Sequence, residues 1–202
     1  MDTHRLSQAV QPLLGWFQAH ARALPWRADR EPYHVWLSEI MLQQTRVEAV
    51  RGYYARFLAA APDVFALAAL PEAQLLKLWE GLGYYSRARN LHQAARQVVR
   101  DFGGEMPREV AQLRQLKGIG AYTAGAIASI AFDQRVPAVD GNVIRVASRV
   151  MGIRENVGIP SVRRELEEKV DSLVPAARPG DFNQALMDLG AAVCVPGTPN
   201  CD

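Results

Sequence analysis

Two glycines that flank one apolar residue, Gly118-Ile119-Gly120, constrain the fold of this chain more than any other feature. Leu113 and Leu116 precede this turn at helical spacing, and a run of small residues follows it. Two helical segments should therefore meet at a tight turn with Ile119 pointing inward. The first amides of the second segment lack intrahelical acceptors and can bind an anion. A C-cap glycine before an ordinary helix is the alternative, but the flanking pattern favours a helix-hairpin-helix that holds a nucleic-acid phosphate.

Apolar residues recur at helical spacing along almost the whole chain, and only residues 136–139 look extended. Proline is favoured in the first turn of a helix, and four prolines can open one: Pro32, Pro71, Pro107 and Pro160. Asp181 can cap the last helix, over residues 182–189. The pattern predicts an all-α fold of ten or eleven short helices with no flexible linker.

The size, charge and hydropathy of the chain favour a globular protein over a membrane-spanning one. With 202 residues, of which 49% are hydrophobic, it can bury a core. A net charge of +2 is compatible with nucleic acid as a partner without requiring it. No signal sequence and no run of transmembrane length is present, so we expect a cytoplasmic protein with no membrane partner.

Glu39 stands out because Trp36, Leu37 and other apolar residues cover nearly every face of its helix. A carboxyl group in such surroundings should have a raised pKa, which suits a general acid near neutral pH. A glutamate on a solvated edge, or in a buried ion pair, is the alternative. The uncharged run Gln43-Gln44-Thr45, which can hydrogen-bond base edges, favours a functional site.

Asp140 precedes another helix, where an aspartate is normally an N-cap. Together with Glu39 it forms a pair of carboxylates of the kind that cleaves an N-glycosidic bond. One acid protonates the leaving base and one carboxylate stabilises the cationic sugar, after the base has left the duplex.

Aromatic and basic residues accompany each other in two loop-like segments. Arg27 follows a tryptophan in P-W-R, and Tyr84 and Arg87 lie in G-L-G-Y-Y-S-R. Such pairs suit stacking on bases and contacts with phosphates. Core packing for the aromatics and solvated surface for the arginines are the alternatives.

The blocks L-S-E-I-M-L-Q-Q-T, G-L-G-Y-Y-S-R-A-R-N-L, L-K-G-I-G-A-Y-T-A, V-D-G-N-V-x-R-V and F-N-Q-A-L-M-D-L-G together resemble the helix-hairpin-helix DNA glycosylases, and within them the A/G-specific adenine DNA glycosylases. The resemblance spans about residues 6–202. It implies a two-lobed helical fold, in which residues 30–136 form a six-helix barrel lobe with the hairpin. Residues 1–29 and 137–202 would form the second helical lobe.

The resemblance also implies residue roles on double-stranded DNA with adenine opposite 8-oxoguanine or guanine. Glu39 would protonate adenine, while Asp140, supported by Asn142, would stabilise the sugar cation. The residues expected to contact DNA are Arg27, Gln43, Gln44, Thr45, Leu82, Tyr84, Arg87, Gly118, Ile119, Gly120 and Thr123. Gln44 and Tyr84 would enter the base stack, with Thr45 and Leu82 near the opposite base. We expect a monomer associated with the nucleoid.

Tyr122 departs from the lyase members of this superfamily, which resemble endonuclease III and carry a nucleophilic lysine at this position. A tyrosine cannot form an imine, so we expect a monofunctional glycosylase with Tyr122 in the catalytic site. Two alternatives stay open. One is a glycosylase that removes thymine from G·T mismatches, and the other is a helix-hairpin-helix module that binds DNA without catalysis.

Cys194 and Cys201 are the two cysteines of the chain and lie in a loop rich in proline and glycine. The family implies a 4Fe–4S cluster held by four cysteines, of which these would be two, so this chain alone cannot complete it. We expect a catalytic region truncated within the iron–sulfur loop. The family's Nudix-like C-terminal domain is then also missing, which predicts weaker discrimination between 8-oxoguanine and guanine.

Overall fold

The computed structural model describes residues 4–201, and every regular element in that range is a helix. The prediction of an all-α fold is therefore confirmed. The α-helices are α1 (His4–His20), α2 (Pro32–Leu42), α3 (Val47–Ala60), α4 (Val64–Ala69), α5 (Glu72–Trp79), α6 (Ser86–Phe102), α7 (Val110–Leu113), α8 (Ala121–Phe132), α9 (Gly141–Val150), α10 (Pro160–Leu173) and α11 (Pro179–Ala192), with a 3₁₀ turn at Pro25–Arg27.

Helix starts follow the prolines in some places and not in others. Helices α2 and α10 begin at Pro32 and Pro160, as predicted. Helix α7 begins at Val110, three residues after Pro107, so that prediction is wrong. The last helix begins at Pro179 rather than after Asp181.

The early start of α11 has a local cause. Proline at the first helical position already has the φ that a helix needs. The amide of Phe182 donates to the carbonyl of Arg178 at 3.1 Å, so the helical hydrogen bonds begin there. Asp181 lies in the first turn, where its carboxylate pairs with Arg178 Nε at 2.7 Å instead of capping the helix.

Residues 23–127 form one compact unit with an aromatic and aliphatic core. Trp36 of α2, Phe57 of α3 and Trp79 of α5 are completely buried, and Phe57 and Trp79 meet edge to face with ring centroids 6.0 Å apart. Helix α4 packs mainly on α6, and α2 packs on α3 and α6. This core fixes the position of α2, the helix that carries Glu39.

The described residues up to Arg22 and from Ala128 onward form the other compact unit. Helices α1, α9, α10 and α11 surround a core that includes Phe17, Val143, Leu166 and Phe182. Within this unit, Arg22 Nε donates to the buried carboxylate of Asp188 at 2.9 Å, which ties the segment after α1 to α11. This core fixes α9, which follows Asp140.

The limits of the two units differ from the sequence-based limits at residues 30 and 136. They lie between Arg22 and Ala23 and between Ile127 and Ala128. The second limit falls inside α8, where no proline or break in the helical pattern marks it. Among residues 4–201, no helix combines the length and the apolar character that crossing a membrane requires.

Candidate active site

Glu39 lies on α2 and is only 7% exposed, which excludes the solvated-edge interpretation. Five of the seven residues before it in the helix are buried as well, because α2 is apolar on nearly all sides. Its carboxylate oxygen Oε2 accepts a hydrogen bond from the phenol of Tyr122 at 2.6 Å. Tyr122 comes from the first turn of α8, 83 positions later in the chain. The fold therefore joins the candidate acid to the helix that follows the hairpin turn.

The turn before α8 has the geometry that its glycines predict. Gly118 has a φ of +80°, in the left-handed region, and a Cβ there would lie 2.8 Å from Cβ of Asn90. A larger residue at position 118 would therefore meet both backbone strain and a clash. Ile119 is 6% exposed and points inward, while Gly120 is exposed at the start of α8. The two glycines therefore leave the backbone of the turn itself uncovered by their own side chains, directly before the first residue of α8.

Two loops of the same unit carry the residues predicted to enter DNA. Gln44 and Tyr84 are both exposed, and both have a left-handed backbone, with φ values of 56° and 47°. The side-chain Nε2 of Gln43 donates to the hydroxyl of Thr123 at 3.4 Å, a long contact that links the first loop to α8. Leu82 and Thr123 are 7% and 2% exposed, so their side chains are less accessible than the predicted DNA contacts require.

Arg87 differs most from its predicted role. We predicted a phosphate contact, but the side chain is buried and 8% exposed. Its guanidinium donates to backbone carbonyls of the two loops instead, and burial lowers its pKa below the ordinary value. Arg27, the other predicted arginine, is half-buried at the end of the 3₁₀ turn.

In the other unit, Asp140 caps α9 and is also oriented from a second direction. Its Oδ1 accepts from the amide of Val143 at 2.8 Å, so the N-cap interpretation is correct. Its Oδ2 accepts from Nδ2 of Asn142, also at 2.8 Å. Both carboxylate oxygens are thus held, as a preorganised electrostatic stabiliser requires.

Arg145 holds Asn142, the residue that contacts Asp140, and the sequence alone did not reveal this role. Its Nη2 donates to Oδ1 of Asn142 at 2.8 Å and to the carbonyl of Gly190 at 2.6 Å. Its Nε donates to the carbonyl of Cys194 at 2.7 Å. Arg145 is the arginine of the block V-D-G-N-V-x-R-V, but the block alone does not show which carbonyls reach it.

Asn183 was also missed and holds the segment that leads to Asp140. It is completely buried, and its Oδ1 accepts from the amide of Ala138 at 3.0 Å. Its Nδ2 donates to Ser129 Oγ and to the carbonyl of Val136, both at 2.9 Å. The one available signal was an asparagine inside an apolar helix, in F-N-Q-A-L-M.

The two cysteines lie in a loop that arginines of α9 hold. Arg149 donates to Cys194 Sγ at 3.4 Å and to the carbonyls of Val195 and Gly197 at 2.8 and 2.9 Å. Cys201 is exposed. No group of three or more metal-binding side chains occurs within residues 4–201. A 4Fe–4S cluster needs four protein ligands, so the two thiols of this chain do not fit one by themselves.

Known proteins resemble this chain in sequence and in fold. The chain is 50% identical to the adenine DNA glycosylase of Mus musculus over 198 residues, which is 94% of this chain and 38% of that protein. It thus spans little more than a third of that relative. A thermostable thymine-DNA glycosylase superposes with a TM-score of 0.87 at 29% identity, covering 99% of this chain and 93% of the other.

A trapped covalent complex of endonuclease III with DNA superposes with a TM-score of 0.84 at 22% identity, covering 100% of this chain and 92% of the other, and so supports the fold alone. These superpositions confirm the predicted helix-hairpin-helix glycosylase fold. A family model described as the HhH-GPD superfamily base excision DNA repair protein matches residues 37–172. The chain therefore belongs to the HhH-GPD superfamily of base excision DNA repair proteins.

Proposed function

We propose that this chain is the catalytic region of a monofunctional adenine DNA glycosylase, which removes adenine opposite 8-oxoguanine or guanine. The observation that carries the proposal is the 2.6 Å hydrogen bond between Tyr122 and the buried carboxylate of Glu39. This hydrogen bond joins a candidate acid, Glu39, to a tyrosine, which cannot form the imine that lyase chemistry needs. The 50% identity to the mouse adenine DNA glycosylase supports adenine as the base.

In this mechanism Glu39 protonates N7 of an adenine that has been turned out of the duplex. Protonation makes adenine a better leaving group, and the N-glycosidic bond breaks with positive charge on the sugar. Asp140, whose two oxygens are held by Val143 and Asn142, stabilises that charge. Glu39 then helps to activate the water that attacks the sugar. The products of this hydrolysis are free adenine and an abasic site in the DNA.

DNA binding is proposed to use backbone and exposed side chains. The turn Gly118-Ile119-Gly120 holds a phosphate through its amides, as helix N-termini do. The exposed side chains of Gln44 and Tyr84 enter the base stack. Cys194 and Cys201 would contribute two ligands to a 4Fe–4S cluster, whose other ligands this chain does not contain.

The second candidate is a glycosylase for thymine in G·T mismatches. Its specific support is the superposition on a thymine-DNA glycosylase over 93% of that chain. The lower identity, 29% against 50%, favours adenine.

The test is incubation with three duplexes that contain adenine opposite 8-oxoguanine, adenine opposite guanine, or thymine opposite guanine. We expect the adenine strands to be cut only after alkali, and borohydride to trap no covalent adduct. Cutting of the thymine strand alone would establish the second candidate. Binding without excision from any duplex would indicate a binding module. A borohydride-trapped adduct would show lyase chemistry and contradict the monofunctional assignment.

A further inference from the structure

The guanidinium of Arg87 bridges two separate loops, and each of its two amino groups binds a different set of acceptors. Nη1 donates to the carbonyls of Ile40 and Met41, at 3.0 Å each, and to that of Gln43. These acceptors form the end of α2, where carbonyls lack helical partners. Within the part of the chain that the structure describes, Arg87 forms no ion pair with a carboxylate. Its charge is therefore balanced by backbone dipoles and by the rings of Trp79 and Tyr84, whose centroids lie 5.5 and 5.6 Å from the guanidinium carbon.

Nη2 holds the second loop and part of the first. It donates to the carbonyls of Leu82 and Gly83 at 3.1 and 3.2 Å, and to Oγ1 of Thr45 at 3.2 Å. The Thr45 hydroxyl in turn donates to the carbonyl of Gln43 at 3.3 Å. A planar guanidinium with fixed donor directions can hold two loops at a set separation, which a flexible ammonium group cannot do as well.

The carbonyls that Arg87 binds immediately precede the two strained residues. Gln43 comes before Gln44, and Gly83 comes before Tyr84. Gln44 and Tyr84 are two of the three non-glycine residues with positive φ between residues 4 and 201. Such backbones are unfavourable for residues with a side chain and persist where the surroundings fix them. Arg87 supplies a fixing contact next to each one.

We propose that Arg87 is a positioning residue that fixes Gln44 and Tyr84 in their left-handed conformations before DNA binds. The role of these two side chains in the base stack rests on the function proposed above, but the ordering of the loops does not. Preorganised loops lose less conformational freedom when the complex forms. Arg87 thereby favours binding to a site where both side chains enter the stack, over binding to undamaged duplex.

The first test concerns the free protein. Arg87→Met keeps an apolar stem and removes the donors, whereas Arg87→Lys keeps the charge without the planar fork. Val98→Ala, at a completely buried site on the same helix, controls for general destabilisation, and Arg100→Met controls for loss of an exposed charge. Hydrogen–deuterium exchange should accelerate in peptides that cover residues 43–45 and 82–85 of Arg87→Met. Neither control should show this local change.

The second test measures binding to DNA. For Arg87→Met we expect affinity for a duplex with adenine opposite 8-oxoguanine to fall about tenfold, as expected when a loop must be ordered on binding. Affinity for a fully paired duplex should change less than twofold, and Arg87→Lys should lie between Arg87→Met and the wild type. Val98→Ala should preserve the ratio of the two affinities.

The two tests separate failure of this inference from failure of the proposed function. If the wild type does not discriminate between the duplexes, the proposed substrate is wrong, and loop exchange still decides the role of Arg87. Unchanged loop exchange in Arg87→Met, or a change equal to that in Val98→Ala, would overturn the positioning role. If Arg87→Met does not fold, Arg87→Lys is judged by the same exchange criterion.

Discussion

The hydrogen bond from Tyr122 to Glu39 has consequences that single substitutions can separate. Glu39→Gln keeps the size of the side chain but removes the proton that the leaving base needs. We expect single-turnover excision to fall at least a hundredfold, in the range found for general acids, with DNA affinity nearly unchanged. Tyr122→Phe removes the phenol that donates the 2.6 Å hydrogen bond to Glu39, and we expect about a tenfold slower excision.

Quench-flow assays on an adenine·8-oxoguanine duplex and fluorescence anisotropy would measure the two quantities. Excision by Glu39→Gln at the wild-type rate would refute the acid role. A Tyr122→Phe rate as low as that of Glu39→Gln would show that the phenol does more than orient the carboxylate.

At the residue scale, the sequence could predict the surroundings of a side chain where neighbours on the same helix determine them. Glu39 was recognised because apolar neighbours on its own helix surround it, and it is buried. Arg87 was assigned to DNA because an arginine beside aromatic residues suits contacts with phosphates. Its true acceptors come from residues 40–43 and 82–83, and only the tertiary fold brings these carbonyls together. The same is true of Asn183, whose partners lie 45 to 54 positions away.

At the element scale, the contact between α9 and α11 depends on a glycine. A Cβ on Gly190 would lie 2.6 Å from Cβ of Asn142, a distance that real Cβ atoms do not tolerate. Asn142 in turn holds the Asp140 carboxylate. We therefore expect Gly190→Ala to destabilise the protein by about 1–3 kcal/mol, as overpacking does, and to reduce excision.

Gly15→Ala is the matched control because a Cβ on this helical glycine of α1 would meet nothing within 4 Å. Alanine is the better helix former, so this variant should be neutral or more stable by up to about 1 kcal/mol. Urea denaturation and single-turnover excision would be measured for both variants. Wild-type excision by Gly190→Ala would contradict a role for the helix contact in orienting Asp140.

Helix limits show which elements the sequence can predict. Pro32 and Pro160 marked true starts because each occupies the first turn of a helix, of 11 and 14 residues respectively. Pro107 did not, because the helix after it is only four residues long and begins at Val110. The hairpin turn was predictable since its geometry depends on Gly118 and Ile119 themselves.

At the scale of the whole molecule, the division into two units could not be predicted from breaks in the sequence. One limit falls between Ile127 and Ala128, within the continuous helix α8. The small residues of α8 are buried both before and after this limit. Helix propensity and periodicity are uniform across it, so only the packing partners, which are distant in sequence, define where one unit ends.

Stability of the whole chain should depend on pH through His92. This residue of α6 is 4% exposed, and its Nε2 is buried without a hydrogen-bond partner. Burial, together with the positive charge of Arg96, lowers its pKa below the ordinary 6.5, although the nearby backbone of Ala68 and Leu70 and the charge of Glu72 partly oppose this. The folded protein therefore resists protonation of His92, whereas the unfolded chain accepts it near pH 6.5.

Because the unfolded state binds this proton first, the His92 contribution to stability is complete above about pH 6.5 and decreases as the pH falls toward the lowered pKa. Each unit of pKa shift corresponds to about 1.4 kcal/mol. We expect urea midpoints measured between pH 8 and pH 5 to fall less steeply in His92→Asn, whose amide can still donate to the neighbouring backbone. His20→Asn, at an exposed site, is the matched control for the loss of an imidazole. An unchanged slope in His92→Asn would show that this buried imidazole does not control acid stability.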